Sequence, residues 1–123
     1  MGRTIAGVVA GGAAWFVIVL GVSFALRALA PAVAAELNAH ATTVALAERL
    51  LISFAGSLVG GYLAARLGNP RAAPIAGVLL LAFWGYYHVM MIWHQFPVWY
   101  HLTFFVSLPL LAVLGARLAG RRA

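Results

Sequence analysis

The sequence predicts an all-α integral membrane bundle of four transmembrane helices, forming a single domain over residues 1–123. The chain is 65% hydrophobic and only 8% charged, with a mean hydropathy of +1.02. A soluble domain of this size would expose too much apolar surface. Four apolar runs are each long enough to cross a hydrocarbon core, where every backbone polar group must be paired within its own segment. Each run is therefore predicted to be a helix.

The four helices are predicted at about 5–26, 45–67, 72–93 and 98–118. The uncharged run from Thr4 to Leu26 is longer than the core of a signal peptide, so we interpret it as a membrane span. The second run carries Arg49 and Arg66 near its ends. Their long side chains can extend to the membrane interfaces, so they do not prevent the run from spanning.

The predicted connections differ in length. The outer loop, 27–44, contains Pro31 and an alanine-rich stretch that we interpret as a short helix at the interface. LGNPR at 67–71 predicts a tight turn, with Gly68 suited to a helix C-cap and Pro70 preventing continuation. HQFP at 94–97 predicts an equally short turn.

Arginine distribution predicts the orientation, because basic residues concentrate on the cytoplasmic side. Arg27 and Arg49 lie on one side of the predicted bundle, and the other six arginines lie on the opposite side: Arg3, Arg66, Arg71, Arg117, Arg121 and Arg122. We therefore expect a multi-pass protein with both termini in the cytoplasm. The arginine- and alanine-rich composition suggests a bacterial source, and hence the cytoplasmic (inner) membrane.

A weak internal repeat is consistent with two parallel helical hairpins. The sequence IAGV at 5–8 recurs at 75–78, and ARL at 65–67 recurs at 116–118. Such a repeat would relate the two hairpins by an axis along the membrane normal. Chance matches between alanine-rich helices explain the same observation.

Small residues at a spacing of four predict close helix packing, as in other membrane helices. They form one ridge in the first helix and one in the second: Gly7 and Gly11, then Gly56, Gly60 and Ala64. The ridges could pack within the chain or against a partner.

Residues 84–101, WGYYHVMMIWHQFPVWYH, hold three of the four histidines and three of the four tryptophans. A short antiparallel hairpin would bring His88 and His101 to a similar depth, with Trp84 on the same helical face as His88. Two such imidazoles could bind a haem or a chlorin, or share a metal ion with His94.

The alternative is an aromatic belt at the outer membrane interface, because tryptophan and tyrosine concentrate there. Trp93, Trp99 and Tyr100 fit such a belt, with Glu48 and Arg49 as charges at the membrane edge. On this interpretation no cofactor is bound, which is our leading expectation. His88 is the deepest ionisable group of the predicted spans, so it remains the principal candidate for a ligand.

Composition also narrows the function. The chain has no cysteine and no aspartate, so thiol chemistry and a Ser/His/Asp triad are excluded. Nothing supports nucleic-acid binding. We expect a non-catalytic accessory or structural transmembrane subunit of a larger bacterial membrane complex, energy-transducing or pigment-bearing. Its partners would be the lipid bilayer and other transmembrane subunits or further copies of itself. The alternatives are a histidine-ligated haem, pigment or metal-binding protein and a small oligomeric transporter.

Three motifs in the second half of the chain carry a resemblance: GGYLAARLG at 60–68, FPVWY at 96–100 and SLPLLAVLGARLAG at 107–120. Together they resemble a loose group of short bacterial four-helix membrane proteins with no assigned activity. The resemblance implies the four-span topology and no site residues. WGYYHVMM departs from the plainer aliphatic run of that pattern.

Overall fold

A computed structural model describes residues 1–39 and 43–121, with side chains placed in those ranges except at 36–39 and 121. These ranges contain no strand. The helices are α1 (Gly2–Leu29), α2 (Pro31–Ala39), α3 (Thr43–Leu67), α4 (Ala72–Tyr87) and α5 (Val98–Arg121). Four segments are long and apolar enough to cross a membrane: Gly2–Leu29, Thr43–Leu67, Ala72–Gln95 and Val98–Gly120. The predicted all-α bundle of four such helices is confirmed.

The short helix expected in the first connection is present as α2, which packs against α1 and α3. Residues 40–42 of the predicted loop lie outside the described residues. We call the end of the bundle that carries α2 and the 93–97 turn the histidine end. The opposite end, which carries Arg3, Arg66 and Arg117, is the arginine end.

Helix α3 lies between α1 and α5, and α4 completes the bundle against α5 and α1. The central position of α3 follows from small residues on two of its faces, which allow a neighbouring backbone to approach on each side. Large side chains fill the space toward the histidine end, where the buried cluster consists of Trp15, Leu46, Leu50, Leu80, Tyr100, Phe104 and Leu108.

The α1–α3 contact is built on the predicted glycine ridges. A Cβ added to Gly11 would lie 2.8 Å from the carbonyl oxygen of Gly60 and 2.8 Å from the Cβ of Ala64. A Cβ added to Gly7 would meet the backbone of Ala64 as closely as 2.5 Å. The two helix backbones therefore touch, and these ridges pack within the chain.

The α3–α5 contact is equally close. A Cβ on Gly61 would overlap the backbone of Ala112, and one on Gly115 would overlap the backbone of Leu58. The sequence places Gly61 beside the predicted ridge of Gly56, Gly60 and Ala64, whereas Gly115 was not singled out for packing. Helix α3 therefore needs small residues on two faces. The ridge at Gly60 and Ala64 packs against α1, and the face with Gly61 packs against α5.

The conformation of Gly68, in the turn between α3 and α4, differs from the C-cap expected from the sequence. No glycine in the described ranges has a positive φ, so Gly68 does not form a left-handed C-cap. Its N–H donates to the carbonyl of Ala64 at 3.0 Å. A Cβ there would lie 2.6 Å from the Arg3 carbonyl oxygen and 2.6 Å from the Cα of Gly7. The position needs glycine because α1 passes against it.

The end of α4 departs from the regular helix predicted to Trp93. The α-helix ends at Tyr87, and a π-helical segment, His88–Ile92, and a 3₁₀ turn, Trp93–Gln95, follow. A π turn inserts an extra residue and rotates the side chains that follow it. Phe96 is then extended, with φ −132° and ψ 155°, as expected of a residue before a proline.

Candidate functional site

His88 and His101 form a direct hydrogen bond inside the bundle. Their Nδ1 atoms are 2.8 Å apart, and their side chains are 3% and 0% exposed. His88 begins the π segment, and His101 lies in the first turns of α5. The structure therefore brings together two of the histidines that were predicted as candidate ligands.

The hydrogen-bond chain assigns the tautomers of the neutral pair. His101 Nε2 lies 3.1 Å from the carbonyl oxygen of Trp93. A carbonyl only accepts, so His101 Nε2 carries the hydrogen and His101 Nδ1 is the acceptor. His88 Nδ1–H must then donate to it, which leaves the lone pair of His88 on Nε2. The hydrogen positions are thus inferred from the hydrogen-bond partners of the two rings.

Aromatic rings hold both imidazoles in place. The His88 ring stacks on Phe104 with centroids 4.5 Å apart and planes at 13°. Trp93 stacks on the His101 ring at 4.6 Å and 14°. Tyr100 lies near-parallel to His88 at 5.9 Å. Stacking on three sides leaves the rings little freedom to rotate, so the hydrogen-bond chain has a defined direction.

His88 also lines a cavity of about 450 Å³ between α1, α3, α4 and α5. Along α1 the wall runs from Trp15 to Ser23, about 12 Å at 1.5 Å per residue. Its deep end is formed by Trp15, Ser53, Trp84 and Phe104, and its shallow end, toward the histidine end of the bundle, by Arg49, Gln95 and Phe96. The volume lies in the range of pockets that bind small organic molecules.

Two covered polar atoms of residues that line this cavity make no hydrogen bond with the described residues. They are the hydroxyl of Ser53 and the indole N–H of Trp84. Ser53 is 3% exposed. Leaving such a group unpaired costs about 1–3 kcal/mol, and buried polar groups in native proteins are normally paired. Trp15, by contrast, donates from Nε1 to the hydroxyl of Ser57 at 3.2 Å.

Arg49 is the charged residue in the cavity wall. Its guanidinium carbon lies 5.3 Å from the centre of the Phe96 ring, a cation–π distance, and the guanidinium also interacts with the hydroxyl of Tyr100. These contacts place the positive charge at the shallow end. Because guanidinium has five N–H donors, it can also bind a further polar group.

The three predicted metal ligands are not gathered at one point. His94 is exposed on the 3₁₀ turn, away from the His88–His101 pair. Within the described residues, no group of three or more His, Cys, Asp or Glu side chains could hold a metal ion. Two nitrogens that bind one metal at about 2.0–2.1 Å lie about 3.3 Å apart at a tetrahedral angle and about 4 Å apart on opposite sides of the metal. Haem, chlorin or metal binding by the two Nδ1 atoms therefore requires the pair to separate from 2.8 Å.

Trp84, which was predicted to share a helical face with His88, lies in the cavity wall. Its ring contacts Trp15 at 5.5 Å and Phe104 at 6.5 Å, between ring centroids. It is therefore part of an aromatic deep end that several helices build. Whether a cofactor lies against it stays a prediction.

The residues predicted at the outer interface divide into two groups. Trp99 is 44% exposed, as an aromatic belt requires, and Glu48 is half-buried. Tyr100 was predicted to lie in the belt but is only 6% exposed. The correction has a simple cause: Tyr100 is one position from Trp99, about 100° around α5, and so turns inward. Trp93 is half-buried because it covers His101.

Sequence reasoning missed Trp15, Ser53 and Phe104, which form the deep end of the cavity with Trp84. A helical spacing could have found two of them. Trp15 follows Gly11 by one helical turn on the packing face of α1, and Ser53 follows Arg49 in the same way on α3. Phe104 follows Tyr100 by the same step, but its role depends on His88 of another helix.

No protein-family model, curated protein or solved structure shows significant similarity to this chain.

Proposed function

We propose that this protein binds a small amphiphile, with a flat aromatic body and a polar group, in the cavity between its membrane helices. The observation that carries the proposal is a cavity of about 450 Å³ whose largely aromatic wall also holds the imidazole of His88 and the guanidinium of Arg49. A cavity shaped only for lipid chains would need neither an imidazole nor a guanidinium in its wall, whereas a ligand with hydrogen-bonding atoms could pair with both.

The aromatic walls support a flat body for the ligand. Rings from α1, α4 and α5 meet at the deep end, and stacked or edge-on ring contacts there are favourable beyond the burial of area alone. The polar end of the ligand would lie at the shallow end, because Arg49 and Gln95 line that part of the cavity.

The test is the chemical content of the purified protein. Wild-type protein is isolated from its membrane in a gentle detergent, extracted with organic solvent and analysed by mass spectrometry. Ser53→Phe places a bulky ring in the cavity wall, and Ala55→Phe makes a comparable change at an exposed position of the same helix. We expect one molecule near equimolar amounts in the wild type and in Ala55→Phe, and its depletion in Ser53→Phe.

Identical extracts from the three proteins, or bulk lipid alone in each, would overturn the proposal. Thermal unfolding of the same samples shows whether Ser53→Phe remains folded. Ser53→Ala keeps the cavity open and removes only a covered hydroxyl, so it should retain the molecule. A variant that is folded and yet retains the full amount of ligand with Phe at position 53 argues against this cavity as the site.

The accessory role expected from the sequence is a second, compatible proposal. Outside the four spans, the described chain contains only α2 and short turns. With so little structure outside the membrane, recognition of a partner protein would have to use helix faces. Isolation in a gentle detergent tests it: a constant set of co-purifying membrane proteins supports an accessory subunit, and a homogeneous partner-free monomer counts against it. The transporter alternative stays a prediction.

A further inference from the structure

We infer that His88 selects a ligand that donates a hydrogen bond, and that the ligand is therefore an aromatic alcohol rather than a molecule with acceptors alone. The inference rests on the proposed binding function. It starts from His101 Nε2, which donates to the Trp93 carbonyl at 3.1 Å. That bond makes His101 Nδ1 an acceptor and His88 Nδ1 a donor across 2.8 Å.

The remaining lone pair of His88, on Nε2, is consequently an acceptor. His88 makes no hydrogen bond with the described residues other than the one to His101. His88 Nε2 is not among the fully covered unpaired atoms, and the cavity is the open space that the residue lines. The protein thus presents an imidazole lone pair to the cavity, and the Trp93 carbonyl in the following 3₁₀ turn sets its tautomer through His101.

The other groups around His88 do not duplicate this role. Arg49 and Trp84 can only donate. The remaining polar groups near His88 can reorient to donate or to accept: the hydroxyls of Tyr87 and Tyr100 and the amide of Gln95. No carboxylate lines the cavity within the described residues. His88 Nε2 differs from these groups. While the His88–His101 pair is neutral, this nitrogen can accept a hydrogen bond but cannot donate one.

An aromatic hydroxyl suits this wall because it can both donate and accept a hydrogen bond. Its O–H donates to His88 Nε2, and its oxygen can accept from a donor in the wall such as the guanidinium of Arg49. The flat ring that carries the hydroxyl suits the aromatic deep end. A methyl ether of the same ring keeps the shape and the acceptor oxygen but lacks the hydrogen that His88 requires, and sites built to bond a hydroxyl reject such analogues.

The test compares 2-naphthol with 2-methoxynaphthalene, which share one aromatic body. The protein is held in phosphatidylcholine nanodiscs, and binding is followed by quenching of tryptophan fluorescence, because Trp15 and Trp84 line the cavity. Partition into protein-free nanodiscs is subtracted for each probe. We expect saturable binding of both, with 2-naphthol about 3- to 10-fold tighter, the value of one hydrogen bond.

Three variants test whether His88 causes the preference for 2-naphthol. His88→Phe should bind both probes equally, and His101→Phe should reduce the preference, because His101 positions the proton of His88. His94→Phe is the matched control on the exposed turn and should keep the wild-type ratio. His101→Phe alters the ratio between the probes, whereas general loosening of the fold would weaken both alike.

The possible failures are distinguishable. Saturable binding of both probes with equal affinity in the wild type overturns the role of His88 and leaves the binding function standing. If neither 2-naphthol nor 2-methoxynaphthalene binds saturably, both the role of His88 and the binding function are overturned. A preference for 2-naphthol that survives His88→Phe overturns the role of His88 as well. The wild-type ratio decides the case even where a histidine variant does not fold.

Discussion

The Nδ1 atoms of His88 and His101 lie 2.8 Å apart in a place where neither side chain is more than 3% exposed. This contact joins the π segment after α4 to the start of α5. It continues through His101 Nε2 to the carbonyl of Trp93. A three-member chain therefore ties together the two sides of the hairpin turn and orients both imidazoles.

Removing one ring of this pair should destabilise the fold. His101→Phe keeps an aromatic ring but leaves His88 Nδ1 without its buried partner, at a cost of about 1–3 kcal/mol in the free energy of unfolding. The measurement is denaturant unfolding in detergent micelles. His94→Phe changes an exposed histidine in the same turn and should stay within about 0.5 kcal/mol of the wild type. Equal stability of the two variants would contradict the buried pair.

Glycine should matter where two backbones touch and nowhere else. Gly11→Ala places a Cβ 2.8 Å from the Gly60 carbonyl oxygen, so α1 and α3 must separate and the thermal midpoint should fall. The adjacent Gly12→Ala has nothing within 4 Å of the new Cβ. Since alanine favours a helix over glycine by about 1 kcal/mol, that control should be neutral or stabilising. A fall of the midpoint for both variants would argue against the α1–α3 contact.

The bond from Trp15 to Ser57 should appear as an energetic coupling. Its donor and acceptor are 3.2 Å apart, and both residues are 2% exposed. In a double-mutant cycle, Trp15→Phe and Ser57→Ala should show an interaction of about 0.5–1.5 kcal/mol in unfolding free energy. Pairing Trp15→Phe with Ser23→Ala gives the comparison, because Ser23 bonds within its own helix. That second pair should be additive, and coupling of equal size in both cycles would count against the Trp15–Ser57 bond.

Arginine distribution predicts that the arginine end of the bundle lies in the cytoplasm. A green fluorescent reporter fused to either terminus should then fluoresce, and a periplasm-dependent alkaline phosphatase fused at the same places should be inactive. Reducing the bias from six against two to three against two, with Arg66→Gln, Arg71→Gln and Arg117→Gln, should produce a mixture of orientations. Active phosphatase at either terminus of the unmodified protein would show that the predicted orientation is wrong.

Some features could be predicted because they depend on composition along the chain. Apolar runs long enough to span the hydrocarbon core can only be helices there, so the four spans follow from hydropathy. The ridge of Gly7 and Gly11 follows from spacing. The π segment at His88–Ile92 could not be predicted, because no local preference marks it. It depends on how α4 meets α5 and the turn.

Gly68 and Tyr100 show why a correct pattern can still lead to an incorrect role. The sequence marks Gly68 as a turn glycine, but its reason for being glycine is the backbone of α1, which local sequence does not contain. Tyr100 belongs to an aromatic run typical of an interface, but its face of α5 turns toward His88. In both cases a neighbour distant in the chain decides the role.

The sequence by itself determined the number of membrane-crossing helices, the short helix between the first two, and the residues by which helices could approach closely. These properties depend on apolar length and local spacing, which are readable one segment at a time. Only the tertiary structure decided that His88 bonds His101, that Trp93 fixes the direction of that bond, and that Ser53 and Trp84 share a cavity wall. Such relations are distances between separate helices, and many sequences with the same hydropathy would not produce them.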